Sequence, residues 1–314
     1  MNMIKNTVLL ALLTSSSLSF AAPLAEVKTT VRVKAPSHFM TLAARKALPN
    51  DAQCAAWVAA QPIAEARPGN AAYNASYGKP LALPFFHGDD ARANRLIAAR
   101  VTGHFVGTTE EILRWGACKW GIDENVVKAM ALQDSDWQQA RRMGVTHLPE
   151  TAQAAAQYGN PKPAFQSDDC TKNTQPGSVA TPSALPNPLP VYPPAGTGSE
   201  SVSCARDWGV LQVNYEQQPS AWPEAESSTA MNVDVALASV RVCFEGYETW
   251  LAAKPVSAGV KKYAKGDLMG CVGRYKSGLW HDTIAESYIA NINQQVVDKS
   301  WQHPDFAGKA WVYP

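Results

Sequence analysis

An excess of charge of either sign is missing from this 314-residue chain: 28 Lys and Arg stand against 27 Asp and Glu, for a net charge of +1. A balance so close to neutral gives no electrostatic reason to expect nucleic acid or an acidic membrane surface as partner. Beyond the first residues there is no apolar run long enough to cross a bilayer, so no transmembrane segment is expected. The chain also has no G-x-S-x-G elbow, H-E-x-x-H pair, phosphate-binding loop or dinucleotide fingerprint, and no C-x-x-C pair. The common serine-hydrolase, zinc-protease, nucleotide-binding and dithiol-redox readings lose their support with them. Six histidines are scattered singly, and we expect neither a metal nor a cofactor.

What is present is enough apolar sequence, 46%, to bury a large core. The opening MNMIKNTVLLALLTSSSLSFAAP has Lys5, an apolar run over Val8 to Leu13, and small residues at Ser19 and Ala21. It reads as a secretory signal peptide of residues 1–21. No cysteine stands directly after that site, so a soluble periplasmic or secreted protein without a lipid anchor is expected. Six cysteines remain, Cys54, Cys118, Cys170, Cys204, Cys243 and Cys271. An even number in an exported chain favours disulfides. The preferred pairing is local, Cys170 with Cys204 and Cys243 with Cys271, which leaves Cys54 for Cys118.

Residues 22–107 carry little periodic signal and read as an irregular extension. VKTTVRVK is a candidate edge strand there, and Asn74-Ala75-Ser76 matches the glycosylation pattern weakly. From Thr108 the helical signals are strong. Thr108 and Glu111 form a capping box ahead of Ile112, Leu113, Trp115 and Trp120, and Gly121 closes the segment. A second helix starts behind Asp123 and reads on to Arg142, with Val126, Val127, Met130, Ala131 and Trp137 on one face. Asp134 shares that face. A carboxyl held against apolar side chains resists ionisation and suits a proton donor; the plainer reading is an acid that satisfies a neighbouring loop.

Residues 145–205 hold ten of the 22 prolines and read as a loop-like insertion closed by Cys170 and Cys204. A tight turn or short strand follows at Asp207 to Tyr215. One long helix is expected over Ser227 to Leu251, a short one behind Asp267, and a last one from Asp282 to about Lys299 with Tyr288, Ile292 and Val296 inward.

Four short motifs in order make the sequence resemble the lytic transglycosylases of the soluble, goose-lysozyme-related type. Trp120-Gly121-Ile122-Asp123 through Asp134-Ser135-Asp136-Trp137 is similar to the helix that ends in the family's acid and serine. Gly209-Val210-Leu211-Gln212-Val213 resembles its Gly-Leu-Met-Gln turn, Ala230-Met231-Asn232-Val233 its Asn-bearing helix start, and Tyr275-Lys276-Ser277-Gly278 its Tyr-Asn-x-Gly turn. The resemblance covers about residues 108–304, with the proline-rich segment inserted. It implies an α+β, mainly helical, lysozyme-like domain that cleaves the bond between N-acetylmuramic acid and N-acetylglucosamine in peptidoglycan, acting as a monomer. It implies Asp134 as acid and base, Tyr275 as the residue orienting it, and Ser135, Gly209, Leu211, Gln212, Asn232 and Gly278 as the lining of the glycan site. The family carries Glu where this chain has Asp134 and Asn where it has Lys276, which implies an attenuated enzyme. The alternatives are an inactive wall-binding protein on the same scaffold and a lysozyme- or chitinase-like hydrolase.

Overall fold

The helices form where local capping and apolar periodicity coincide. In this computed structural model, which describes residues 37–86, 90–143, 146–148, 170–173, 201–204, 207–214, 217–253 and 262–308, six helices of nine residues or more carry the architecture. They are α1 (Asp51–Ala59), α2 (Thr109–Trp120), α3 (Glu124–Ser135), α4 (Thr229–Glu245), α5 (Leu268–Ser277) and α6 (Thr283–Asp298). Thr108 accepts from Glu111 N while the Glu111 carboxylate accepts from Thr108 N, so both halves of the expected capping box form at α2. Asp123, Asp267 and Asp282 cap α3, α5 and α6 as their sequences predict.

α4 is the spine. Every one of its residues is buried, as expected of a helix that meets neighbours on all sides. Its polar residues therefore must find partners inside the protein. Asp234 accepts from Lys119 Nζ at 2.7 Å, from Trp120 Nε1 at 2.8 Å, and from the backbone of Thr102 and Gly103. Arg241 pairs with Glu245 and donates to the carbonyls of Leu42 and Ala43. These bonds tie residues 42–43 and 102–103 to the spine, and Phe39, Cys54, Val58, Phe85 and Ile97 join the same core as α2 to α6. The segment read as an extension is thus continuous with the helical body from at least Ser37 onward.

The described residues between α3 and α4 include six short strands: β1 (Arg142–Met143), β2 (Thr146–Leu148), β3 (Cys170–Asn173), β4 (Ser201–Cys204), β5 (Asp207–Trp208) and β6 (Val213–Asn214). They form two antiparallel sheets of order β1-β5-β6 and β2-β4-β3. The proline-rich insertion therefore contains paired strands at its borders, where a loop was expected; the prolines themselves lie outside the described residues, as do the signal peptide and VKTTVRVK.

Two disulfides, Cys54–Cys118 and Cys243–Cys271, match the preferred pairing. They fix α1 to α2 and α4 to α5. Cys170 and Cys204 face each other in register, and their side chains lie outside the described residues. Disulfides fit an oxidising compartment. Among the described residues no helix is long and apolar enough to cross a membrane. Asn74 is buried and donates to Glu65 and Thr109, which removes it as an accessible glycosylation site.

Two helix ends differ from the sequence expectation. The helix expected over Ser227 to Leu251 stops at Glu245. There Gly246 enters the left-handed region at φ 81°, and Gly246 and Tyr247 donate back to Cys243 and Val242 in a Schellman-type close. The helix expected to reach Arg142 stops at Ser135, for reasons that belong to the site.

Candidate functional site

α3 delivers Asp134 to the protein interior because it lies on the face formed by Val127, Met130 and Ala131, all fully buried. The Asp134 side chain has no exposed surface. Lys276 Nζ, from the last turn of α5, donates to its Oδ1 at 2.9 Å, and the Tyr288 hydroxyl, from α6, donates to its Oδ2 at 2.9 Å. Burial pushes the Asp134 carboxyl up, and the nearby charge of Asp207 adds to the rise. The Lys276 charge and the bonds from Lys276 and Tyr288 oppose it without cancelling it. Burial followed by the Asp134 charge holds the hydroxyls of Tyr275 and Tyr288 well above the ordinary tyrosine range, so both remain donors.

The Gly-Val-Leu-Gln turn packs on this acid-bearing helix. Ser135 Oγ lies 2.9 Å from Val210 O and 3.1 Å from Ala131 O. Tyr275 donates to Leu211 O at 2.8 Å. Gln212, at φ 47°, donates from Nε2 to Gly209 O and Arg141 O, and its buried Oε1 has no partner among the described residues. Asn232, fully buried in α4, accepts from Leu211 N at 2.9 Å and donates to Trp208 O and Ala225 O. Gly209 sits at φ 80°, and a Cβ there would lie 2.3 Å from Asn232 Nδ2. The turn needs glycine because Asn232 approaches its backbone.

The four motifs therefore meet in space, but several residues play parts other than those expected. The Tyr275 hydroxyl, expected at the acid, donates to Leu211 O, and the Tyr288 hydroxyl makes the bond to the carboxylate. Leu211 and Asn232 have no exposed surface, and Gly209 and Ser135 are buried with their contacts inside the protein. These four pack beside the acid-bearing helix, with their contacts inside the protein. Gly278 ends α5 at φ 74° with open space at its Cβ position. Gln212, with its open acceptor, keeps the capacity to bond a ligand.

The end of α3 is set from outside the motifs. Asp136 and Trp137 both have positive φ, 55° and 60°. Arg67 holds this strained pair by donating to Asp136 O at 2.7 Å and pairing with the Asp136 carboxylate at 3.0 Å. Asn70 donates to Trp137 O and accepts from Gln139 N. Trp137 thus remains buried after the helix has ended.

Sequence reasoning missed Tyr288 as a polar partner, because an inward tyrosine at helical spacing is read as core. It missed Arg67, Asn70 and Gln139 because nothing local marks a long-range clamp. A cavity of about 660 Å³, lined by Leu132, Asp136, Lys299, His303 and Phe306 among others, lies beyond the α3 end and does not include Asp134. Among the described residues no group of three His, Cys, Asp or Glu is placed to hold a metal. The fold and site together define a mainly helical, disulfide-bonded domain in which the buried Asp134 lies where the four motifs meet. No family model, curated protein or solved structure matches the chain.

Proposed function

We propose that the chain is an exported enzyme of the lytic transglycosylase type, on a lysozyme-like scaffold, with Asp134 as its acid and base. One observation carries the reading: motifs spread over more than a hundred positions converge on a single carboxyl, with the Tyr-x-x-Gly segment supplying Lys276 to it and Tyr275 to the turn behind it. A buried carboxyl with a raised pKa holds a proton close to neutral pH better than an exposed one does. In the reaction Asp134 gives that proton to the glycosidic oxygen as the C1–O bond breaks. As carboxylate it then takes the proton of the muramoyl C6 hydroxyl, whose oxygen bonds to C1 and closes the 1,6-anhydro ring. A donor that regains its proton in this way needs no second carboxylate to activate water.

A second reading is hydrolysis by two carboxylates, as in lysozyme- or chitinase-like enzymes, for which Asp207, whose charge reaches Asp134, is the candidate second carboxylate. The test is mass spectrometry of the products released from purified sacculi by the protein and by Asp134→Asn. Anhydro ends that vanish in the variant support transglycosylation, and reducing ends support hydrolysis. No release from either protein sinks both enzymatic readings and leaves a glycan-binding protein.

A further inference from the structure

α5 delivers two contacts at the acid site, yet its own sequence gives it little to hold its place. It supplies Lys276 to Asp134 Oδ1 at 2.9 Å and Tyr275 to Leu211 O at 2.8 Å. A helix of ten residues is marginal by its own hydrogen bonds and depends on packing. Its buried residues are Gly270, Cys271, Val272 and Gly273, and the two glycines have no side chain to bury. They permit close approach instead. A Cβ at Gly270 would lie 2.4 Å from Trp280 Cη2, and one at Gly273 would lie 2.8 Å from Ile289 Cδ1 and 2.9 Å from Ala285 Cβ, both in α6.

Toward the spine α4, the covalent connection is the disulfide of Cys271 with Cys243, both fully buried. Cys271 lies about one helical turn before Tyr275 and Lys276, so the bridge fixes α5 close to the residues that meet the turn and the acid. Other polar ties of α5 lie near its two ends, where its cap Asp267 meets His281 Nε2 at 3.1 Å and Arg274 pairs with Glu248. Tyr288 reaches the second oxygen of the acid from α6, which has no cysteine. We propose that Cys243 and Cys271 are positioning residues, whose bridge sets α5 against the spine and thereby seats Lys276 on Asp134 and Tyr275 on the Gly-Val-Leu-Gln turn. Their role in a reaction rests on the glycan-cleaving reading above, whereas their effect on the acid is measurable without substrate. The charge of Lys276 favours the ionised acid and opposes the burial that raises it. With α5 released from the spine that charge withdraws, and Asp134 keeps its proton to higher pH.

The test compares two bridge-free variants, Cys243→Ala with Cys271→Ala, and Cys54→Ala with Cys118→Ala. The second removes the disulfide between α1 and α2 and so controls for a general loss of stability. Carbon-13 titration of the Asp134 carboxyl should move upward by about one pH unit in the first variant, the scale of one nearby opposite charge, and stay in place in the second. Lys276→Met should move the titration upward in the parent and add little in the first variant, because the bridge acts through Lys276. With sacculi as substrate, the pH at which activity falls on the alkaline side should rise with the titration. If the alanine pair does not melt cooperatively, Cys243→Ala with Cys271→Val restores part of the lost volume and takes its place. An unmoved titration, an equal movement in both bridge-free variants, or failure of both Cys243–Cys271 replacements to fold overturns the positioning role. A titration that moves as expected, in a parent that releases nothing from sacculi, supports the positioning of the acid and overturns the glycan-cleaving reading alone.

Discussion

Asn232→Leu separates a scaffolding residue from a ligand contact. Asn232 accepts from Leu211 N and donates to Trp208 O and Ala225 O, at 2.8 to 3.0 Å. Leucine has the same heavy-atom branching, so no cavity opens, and because its methyls are bulkier than the amide groups the lost hydrogen bonds set the least cost. Leu211 N–H loses its acceptor in a buried position, which costs about 1–3 kcal/mol. Ala225 O keeps Gln139 Nε2, and losing one donor at Trp208 O adds roughly 1 kcal/mol. The expected loss is about 2–4 kcal/mol, a large share of the roughly 5–15 kcal/mol that holds a domain together. Denaturant unfolding at neutral pH measures it as a lower midpoint with unchanged slope. Amide exchange should show Leu211 losing protection well before the helices do. A loss below about 1 kcal/mol, or a variant of full stability that merely loses glycan affinity, would refute the assignment and restore Asn232 to the binding surface.

The Asp134 carboxyl is raised above its ordinary 3.8, so its contribution to stability is fully present below that value and is lost as pH rises through the folded pKa. The advantage of Asp134→Asn over the parent should therefore grow with pH from about 4 upward, and a pH-independent difference in unfolding free energy would contradict the burial argument. Tyr288→Phe removes a bond that favours the carboxylate and should move the Asp134 titration upward by carbon-13 NMR. Tyr275→Phe should leave that titration nearly in place and cost about 1 kcal/mol through Leu211 O; reversal of these two results would return the orienting role to Tyr275. Breaking Cys54–Cys118, which spans 64 positions, by Cys54→Ser with Cys118→Ser should cost about 4 kcal/mol in thermal or denaturant unfolding. An unchanged midpoint would show that the bridge constrains little.

Much of the helical framework is legible from the chain alone, because the information is local. The Thr108–Glu111 box, the caps at Asp123, Asp267 and Asp282, and the stop at Gly121 each involve side chains within three or four positions of the backbone groups they satisfy. The burial of Asp134 is legible for the same reason, since helical spacing places it with Val127 and Met130 whatever they pack against. The two described disulfides follow from pairing near neighbours first.

The rest depends on contacts between residues far apart in sequence. α3 ends at Ser135 because Arg67 and Asn70, more than sixty positions earlier, hold Asp136 and Trp137 in left-handed geometry. The hydroxyl that meets the acid beside Lys276 is that of Tyr288 rather than Tyr275 because the approach of α6 to α3 brings it to Oδ2. Asn232 faces the backbone of the turn because α4 is enclosed on every side, so a polar side chain there must satisfy groups within the protein. Sequence spacing determines which face of a helix a residue occupies. Only the packing of helices against one another decides what that face meets, and hence whether a polar residue holds the wall or confronts a ligand.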